Sequence, residues 1–202
     1  MGESVSPWIP SCNGSIRVEL DGQRTTSDSG ALLLREALDS SGVIDALDDN
    51  LIDQRNPLRV RHSLASQLRT LVMQRSMGWI DLSDTDMLRR DPLWQLACSD
   101  ARGMTPLAQS RPSQATLSRL LTCLGRSDNI DAVHEGLLRL VVWRLTSLER
   151  GKRPDQLTLD IDGLPIEVHG QQGGSAFNGH YGARIYSPLV ASLAETGDMV
   201  GG

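Results

Sequence analysis

LTLDIDGLPIEVHGQQGGSAFNGHYGARIYSPLV, residues 157–190, is where the hydrophobic period of this chain changes. Leu157, Leu159 and Ile161 alternate with Thr158, Asp160 and Asp162. Period two is the pattern of a strand, whose successive side chains leave opposite faces. On such a strand the apolar set enters a core. Both carboxylates then stand together on the other face, roughly 6.5 Å apart. Like charges so placed repel, and a divalent cation is a natural compensation because hard cations take carboxylate oxygens. The residues alone leave a second reading open, in which both are solvated acids at a strand end. A glycine-rich stretch at 170–175 follows and reads as a turn between strands. It lacks the Lys-Ser/Thr ending of a phosphate-binding loop and precedes a strand, not a helix. Asn178-Gly179 is a hairpin-type dipeptide, and a second strand follows around 186–189.

Upstream of residue 150 the period is helical. Ser27 or Asp28 caps a first helix carrying Leu32, Leu33, Leu34, Ala37 and Leu38, with Gly42 as its stop. Val43, Ile44 and Leu47 suggest a short second helix. Asn56-Pro57 reads as a cap and first-turn proline for a helix with Leu64, Leu68, Leu71 and Val72 on one side, ending near Gly78. Asp91-Pro92 repeats that signal. Pro112 and Ser113 begin a helix to about Cys123. Asp128 caps the last, whose apolar face carries Val133, Leu137, Leu140, Val141, Leu145 and Leu148. Before it all, residues 1–25 are irregular, with a short strand at 15–20 from the alternation of Ile16, Val18 and Leu20. The segment 103–112 reads as a flexible loop, and Lys152-Arg153-Pro154 as a linker. The expected organisation is an irregular segment at 1–25, a helical domain at 26–150 and a mixed domain opening at 157–202.

Net charge is −5 and the pI about 5.3. No global basic field is present, which argues against a simple nucleic-acid-binding module. Of the 20 basic residues only Lys152 is lysine. Arginine suits forked phosphate contacts, although so extreme a bias fits genomic base composition better than selection at each position. One Phe, two Tyr and four Trp are too few for a base-stacking single-strand binder. Cys12, Cys98 and Cys123 form no C-x-x-C pair, which suggests reduced thiols in a cytosolic protein. No apolar run reaches membrane-spanning length, and no secretion signal is evident.

The order of these parts resembles bacterial insertion-sequence transposases of the DDE class. The likeness rests on Asp160-Ile161-Asp162, Val168-His169-Gly170, the small-residue loop, Asn178-Gly179-His180-Tyr181 and Tyr186-Ser187-Pro188-Leu189. Upstream it extends to TSDSGALLLRE at 26–36, RVRHSL at 59–64, LRRDP at 88–92 and SQATLSRL at 113–120. Leu164 stands where the group commonly has a hydroxyl residue. The resemblance implies an all-α N-terminal DNA-binding domain followed by the first strands of a ribonuclease-H-like α/β domain. It implies Mg2+ or Mn2+ as cofactor, held by Asp162 as the first metal ligand, with Asp160 as alternative or supporting ligand. It also implies transposition of a mobile element by phosphodiester hydrolysis and strand transfer. The implied partners are double-stranded DNA, as terminal inverted repeats and target, and a second copy of the chain in the complete enzyme. The implied location is the bacterial cytoplasm, at the nucleoid.

Three carboxylates usually serve such a centre. After Asp162 only Glu167, Glu195 and Asp198 remain, and Glu195 and Asp198 flank Gly197 in a hairpin-type turn. The chain is therefore expected to be a truncated N-terminal part, inactive alone. A non-enzymatic binder of element ends and a metal-dependent nuclease of the same fold are the other readings. His169 and His180, eleven residues apart, match no compact zinc spacing and suit hydrogen-bonding or DNA-facing roles better. Gln171, Gln172 and Asn178 are weaker candidates for contact with DNA.

Two upstream groups are candidate DNA contacts. Arg55, Arg59, Arg61 and His62, expected at a helix start, suit backbone phosphates. Ion pairing of the arginines to Asp53 or Asp49 is the other reading. Ser113, Gln114 and Arg119 lie on what resembles a recognition helix, where Gln114 could read adenine and Arg119 guanine or phosphate.

Overall fold

The computed structural model describes residues 7–18, 28, 30–101, 103, 105–149, 152–170 and 172–202. Ser27, Gln171 and residues 19–20 of the expected first strand lie outside these. The chain divides into two compact units, Met1–Ala132 and Val133–Gly202. The division falls within the last helix, whereas the hydrophobic period changes at Leu157.

The first unit is helical. Its elements are α1 (Gly30–Ser41), α2 (Val43–Asn50), α3 (Leu64–Ser76), α4 (Thr85–Leu88), α5 (Pro92–Ala97), α6 (Thr105–Ala108) and α7 (Gln114–Leu124), with α8 (Ser127–Ser147) beginning in it. Side-chain caps set the starts. Ser63 accepts from Ser66 N at 3.0 Å, Asp91 from Trp94 N at 3.0 Å and Ser113 from Thr116 N at 3.4 Å. Asn56-Pro57 does not open α3. It opens a single 3-10 turn, Pro57–Arg59, in which Asn56 accepts from Leu58 N. Extended backbone at Val60 then separates that turn from the Ser63 cap. Arg55, Arg59, Arg61 and His62 therefore sit in a loop and turn, not on a helix start.

The core gathers Ala31, Leu32, Met73, Leu88, Trp94, Ala97 and Cys98, with Trp8, Val18 and Leu38 packed against it. Leu33, expected on the apolar face of α1, is 62 % exposed. The early strand is reduced to one bridge, Trp8 to Val18. The 103–112 segment is more than a loop: it holds the α6 turn and buries Pro106, Arg111 and Pro112.

A polar network runs through this core. Arg35, 6 % exposed, donates through Nη1 to the carbonyls of Ala97 and Ser99, each at 2.7 Å, and through Nε to Asp39 at 2.6 Å. Arg69 pairs with Asp100, which also accepts from the Ser63 hydroxyl at 2.8 Å. On α3, Gln74 donates to the Asp81 carbonyl and accepts from Thr85.

The second unit carries six short strands: β1 (Leu159–Gly163), β2 (Ile166–Glu167), β3 (Ala176–Asn178), β4 (Ala183–Tyr186), β5 (Leu189–Leu193) and β6 (Met199–Gly201). They form two antiparallel sheets, ordered β1-β5-β6 and β2-β4-β3. The sequence reads as two strands here. The second, expected around 186–189, falls across the end of β4 and the start of β5, with Ser187-Pro188 between them; β2, β3 and β6 are two or three residues long, too short for alternation to register. In α8 the expected apolar face is turned inward, with Leu140 and Val141 buried. No helix of the described residues is long and apolar enough to cross a membrane.

Two outcomes test the network. Arg35→Ala leaves Asp39 and two carbonyls without their buried donor, and should cost about 3–5 kcal/mol, read as a lowered urea midpoint. Burial works to raise the Asp100 carboxyl, but the Ser63 hydroxyl, Arg69 and Arg35 outweigh it and hold it below the ordinary carboxylate range. Its contribution is thus present above the unfolded carboxylate range and lost as pH falls through the lowered folded value. Asp100→Asn should destabilise at neutral pH and flatten the acid limb of the stability profile; an unchanged acid limb would remove Asp100 from this role.

Candidate metal centre and nucleic-acid interface

Antiparallel pairing fixes the faces of β1. Asp160 lies opposite Ser192 and Asp162 opposite Val190, while Leu159 and Ile161 lie opposite Leu193 and Ala191. Directly opposed residues share a face, so Asp160, Asp162 and Ser192 stand on one side of the sheet. Both carboxylates are exposed. Asp162 Oδ1 accepts from Gly163 N at 2.7 Å. Among the described residues neither acid meets a cationic side chain within salt-bridge distance. The donor set therefore fits a hard divalent cation in kind: two carboxylates on one pleat with no competing cation.

One expectation for β1 fails. Its apolar side does not enter a core, since Leu157, Leu159 and Ile161 are 49, 52 and 56 % exposed. Among the described residues little packs over that face, and burial in this unit goes instead to Val168, Ile185 and Leu193.

The later acids are occupied elsewhere. Both oxygens of Glu195 accept from Thr158 N, at 2.9 and 3.0 Å, and this bonding holds its carboxyl below the ordinary range. Asp198 pairs with Arg144. Between them Gly197, at φ 70°, makes the β5–β6 turn expected from the sequence. Glu167 lies exposed on β2. Among the described residues no group of three or more His, Cys, Asp or Glu side chains could hold a metal. His180 stacks edge-on against Tyr181, with ring centroids 4.9 Å apart. The glycine-rich loop is tied down: Arg184 donates to Ser175 Oγ and to its carbonyl, each at 2.8 Å, and Tyr186 donates to the Gly173 carbonyl at 2.7 Å. Gln172 belongs to this loop, while Asn178 ends β3 and accepts from His180 N at 2.9 Å.

The first unit holds a cleft of about 900 Å3 that gathers residues from both upstream groups. Arg55, Arg59, Arg61 and His62 line it together with Ser113 and Arg119. Three further arginines line it that sequence reasoning missed: Arg89, Arg111 and Arg126. Among the described residues the acid in the lining is Asp53. Gln114 is exposed but outside the cleft, and its backbone N–H faces Asp86 at 3.4 Å.

Local bonding positions the walls. Asn129, fully buried, accepts from Ile52 N at 2.7 Å and donates to the Cys123 carbonyl at 3.0 Å, which joins the loop before Asp53 to the end of α7. Arg55 is committed to Asp53, donating from Nε and Nη2, and also reaches the His62 carbonyl at 3.1 Å. For this residue the ion-pair reading holds. Arg126 is paired with Asp128. Arg59, Arg61, Arg111 and Arg119 meet no carboxylate within salt-bridge distance among the described residues. Burial and then the charges of Arg111, Arg89, Arg55 and Arg61 push the His62 imidazole below its ordinary range. The missed arginines carry no local signature, because arginine accounts for nearly all the basic residues of this chain.

No curated protein and no solved structure gave a match. A family model described as transposase DDE domain group 1 matches residues 10–201. That match spans nearly the whole chain, and the chain accordingly belongs to the transposase DDE domain group 1 family.

Proposed function

We propose that this chain serves DNA transposition by phosphodiester hydrolysis at the ends of its element, followed by attack of the freed 3′-hydroxyl on target DNA. The observation that carries the reading is the shared face of Asp160 and Asp162 on β1, with no cationic side chain within salt-bridge distance among the described residues. These two residues would hold Mg2+ or Mn2+, Asp162 as the primary ligand. When bound, the ion supplies Lewis-acid polarisation of the phosphate. The backbone N–H of Gly163 orients Asp162 by holding one of its oxygens. In the same reading β1-β5-β6 is the antiparallel opening of a ribonuclease-H-like sheet. The arginine cleft binds the duplex through its phosphates, and α7, with Gln114 and Ser118 exposed, supplies base contacts.

The described residues gather two acids where the resemblance implies three. Nicking by these 202 residues alone is therefore expected to be absent. The same observation favours a second reading, an element-end binder without cleavage, because the cleft needs neither acid.

Metal binding tests the central step. Titration with Mn2+, followed by electron paramagnetic resonance, should show weak binding that falls at least tenfold in Asp162→Asn and less in Asp160→Asn. Equal binding by wild type and both variants would exclude the pair as ligands. Incubation with supercoiled plasmid and Mn2+ tests the expected absence of nicking: any cut product would overturn it, joined products pointing to strand transfer and cut but unjoined products to a nuclease.

A further inference from the structure

The arginine cleft contains one group that the general reading does not account for. Arg111 is 4 % exposed, yet it lines the cleft and meets no carboxylate among the described residues. Its Nη2 donates to the neutral Gln109 Oε1 at 3.2 Å, and its buried Nε has no acceptor. A buried guanidinium N–H without an acceptor is costly to leave so. The other such atom, Nε of Arg69, faces the Asp39 carboxylate at 3.6 Å and belongs to a paired network. Arg111 has no equivalent.

The surroundings sharpen the imbalance. The fields of Arg111, Arg89, Arg55 and Arg61 converge on His62. Of these, Arg55 is paired with Asp53 and Arg89 lies 3.4 Å from the exposed Asp86, while Arg61 and Arg111 meet no carboxylate within salt-bridge distance among the described residues, Asp100 acting on Arg111 from farther away. All this occurs in a chain whose net charge is −5. Ser113, the cap of α7, lines the same cleft. Converging cations, a buried donor with no acceptor and a helix start together call for an anion with several acceptor oxygens.

We propose that Arg111, Arg89 and His62 form a seat for one phosphate oxyanion of a nucleic-acid backbone, with Arg61 and Arg119 as flanking contacts. This rests on the reading that DNA is the partner of this chain, and it names which phosphate-binding groups are decisive. A phosphate placed there would give the Arg111 guanidinium an anionic partner and oppose the field of the arginines on His62. Burial and the charges of Arg111, Arg89, Arg55 and Arg61 hold the imidazole below its ordinary range, with Asp53 beside Arg55, Asp86 beside Arg89 and Asp100 acting on Arg111 as the opposing charges; a bound phosphate favours its protonated form. Binding should be tighter at low pH and weaken as pH rises through the range of the bound imidazole.

The test is binding of a fluorescein-labelled 30-base-pair duplex of random sequence, measured by anisotropy in EDTA across a salt series. Metal ligation by Asp160 and Asp162 cannot then influence the outcome, so this inference and the metal reading fail separately. Arg111→Gln and Arg89→Gln should each weaken binding about tenfold at moderate salt and reduce the slope of log K against log salt by about 1. His62→Gln should abolish the pH dependence. Because Arg111 is buried, its variant is checked by circular dichroism; if it unfolds, Arg89→Gln and the exposed pair Arg61→Gln/Arg119→Gln decide. Wild-type slopes in all variants that fold would overturn the seat. Inorganic phosphate at matched ionic strength should compete with the duplex for wild type and not for Arg89→Gln. Binding of inorganic phosphate without any binding of the duplex would overturn the nucleic-acid source.

Discussion

Two of the guanidinium groups buried in the first unit, those of Arg35 and Arg69, are each paired with carboxylates, and the helices are tied together through that pairing. Arg35 and Arg69 leave α1 and α3 and meet Asp39 and Asp100. Taking such ions out of water is tolerated only with close pairing and further hydrogen bonds. The carbonyls of Ala97 and Ser99 supply them at the end of α5. Asp100 also accepts from Ser63, the residue that caps α3. One carboxylate thereby joins the core network to the point where the loop carrying Arg55, Arg59, Arg61 and His62 enters a helix. The cleft owes this edge of its wall to the pairing of Arg69.

That arrangement explains why part of the molecule could be read from the sequence and part could not. Caps and prolines announce α5 and α7 because their signals are local: Asp91 and Ser113 act on backbone within three residues. The start of α3 misleads, since Asn56-Pro57 is as good an opening as Ser63. Tertiary contacts, such as the bond from Ser63 to Asp100, separate the two. The face of Asp160 and Asp162 was legible because strand period alone decides it. The fate of Leu157, Leu159 and Ile161 was not, because alternation says which side is apolar and nothing about what packs there.

The cleft shows the same limit from another direction. Its arginines run from position 55 to position 126, and no spacing joins them. Helix packing brings them together, so only residues already grouped in sequence, such as Arg59, Arg61 and Arg119 with Ser113, could be named in advance. An acidic chain can still concentrate cations in one concavity, where low-dielectric walls focus the field. Family membership gives transposition as the setting; the proposed division between a cationic cleft and an acidic pleat rests on the side chains.

The acidic pleat has to keep its register without much apolar burial beneath it. A slip of one residue would send both aspartates to the opposite face. Hydrogen bonds beyond each end of β1 oppose that slip. Leu164 N donates to the Pro188 carbonyl at 2.9 Å, and Ala194 N donates to the Thr158 carbonyl at 3.0 Å. The Glu195 carboxylate adds a clamp on Thr158 N. A side chain at position 163 would meet Ser187 Oγ at 3.3 Å, so glycine lets the two strands approach where Asp162 ends its run. Glu195 is thereby explained without a role at the metal. It is an acid that fixes where two other acids point, and its bonding to Thr158 N supports the β1 register on which the proposed chemistry depends.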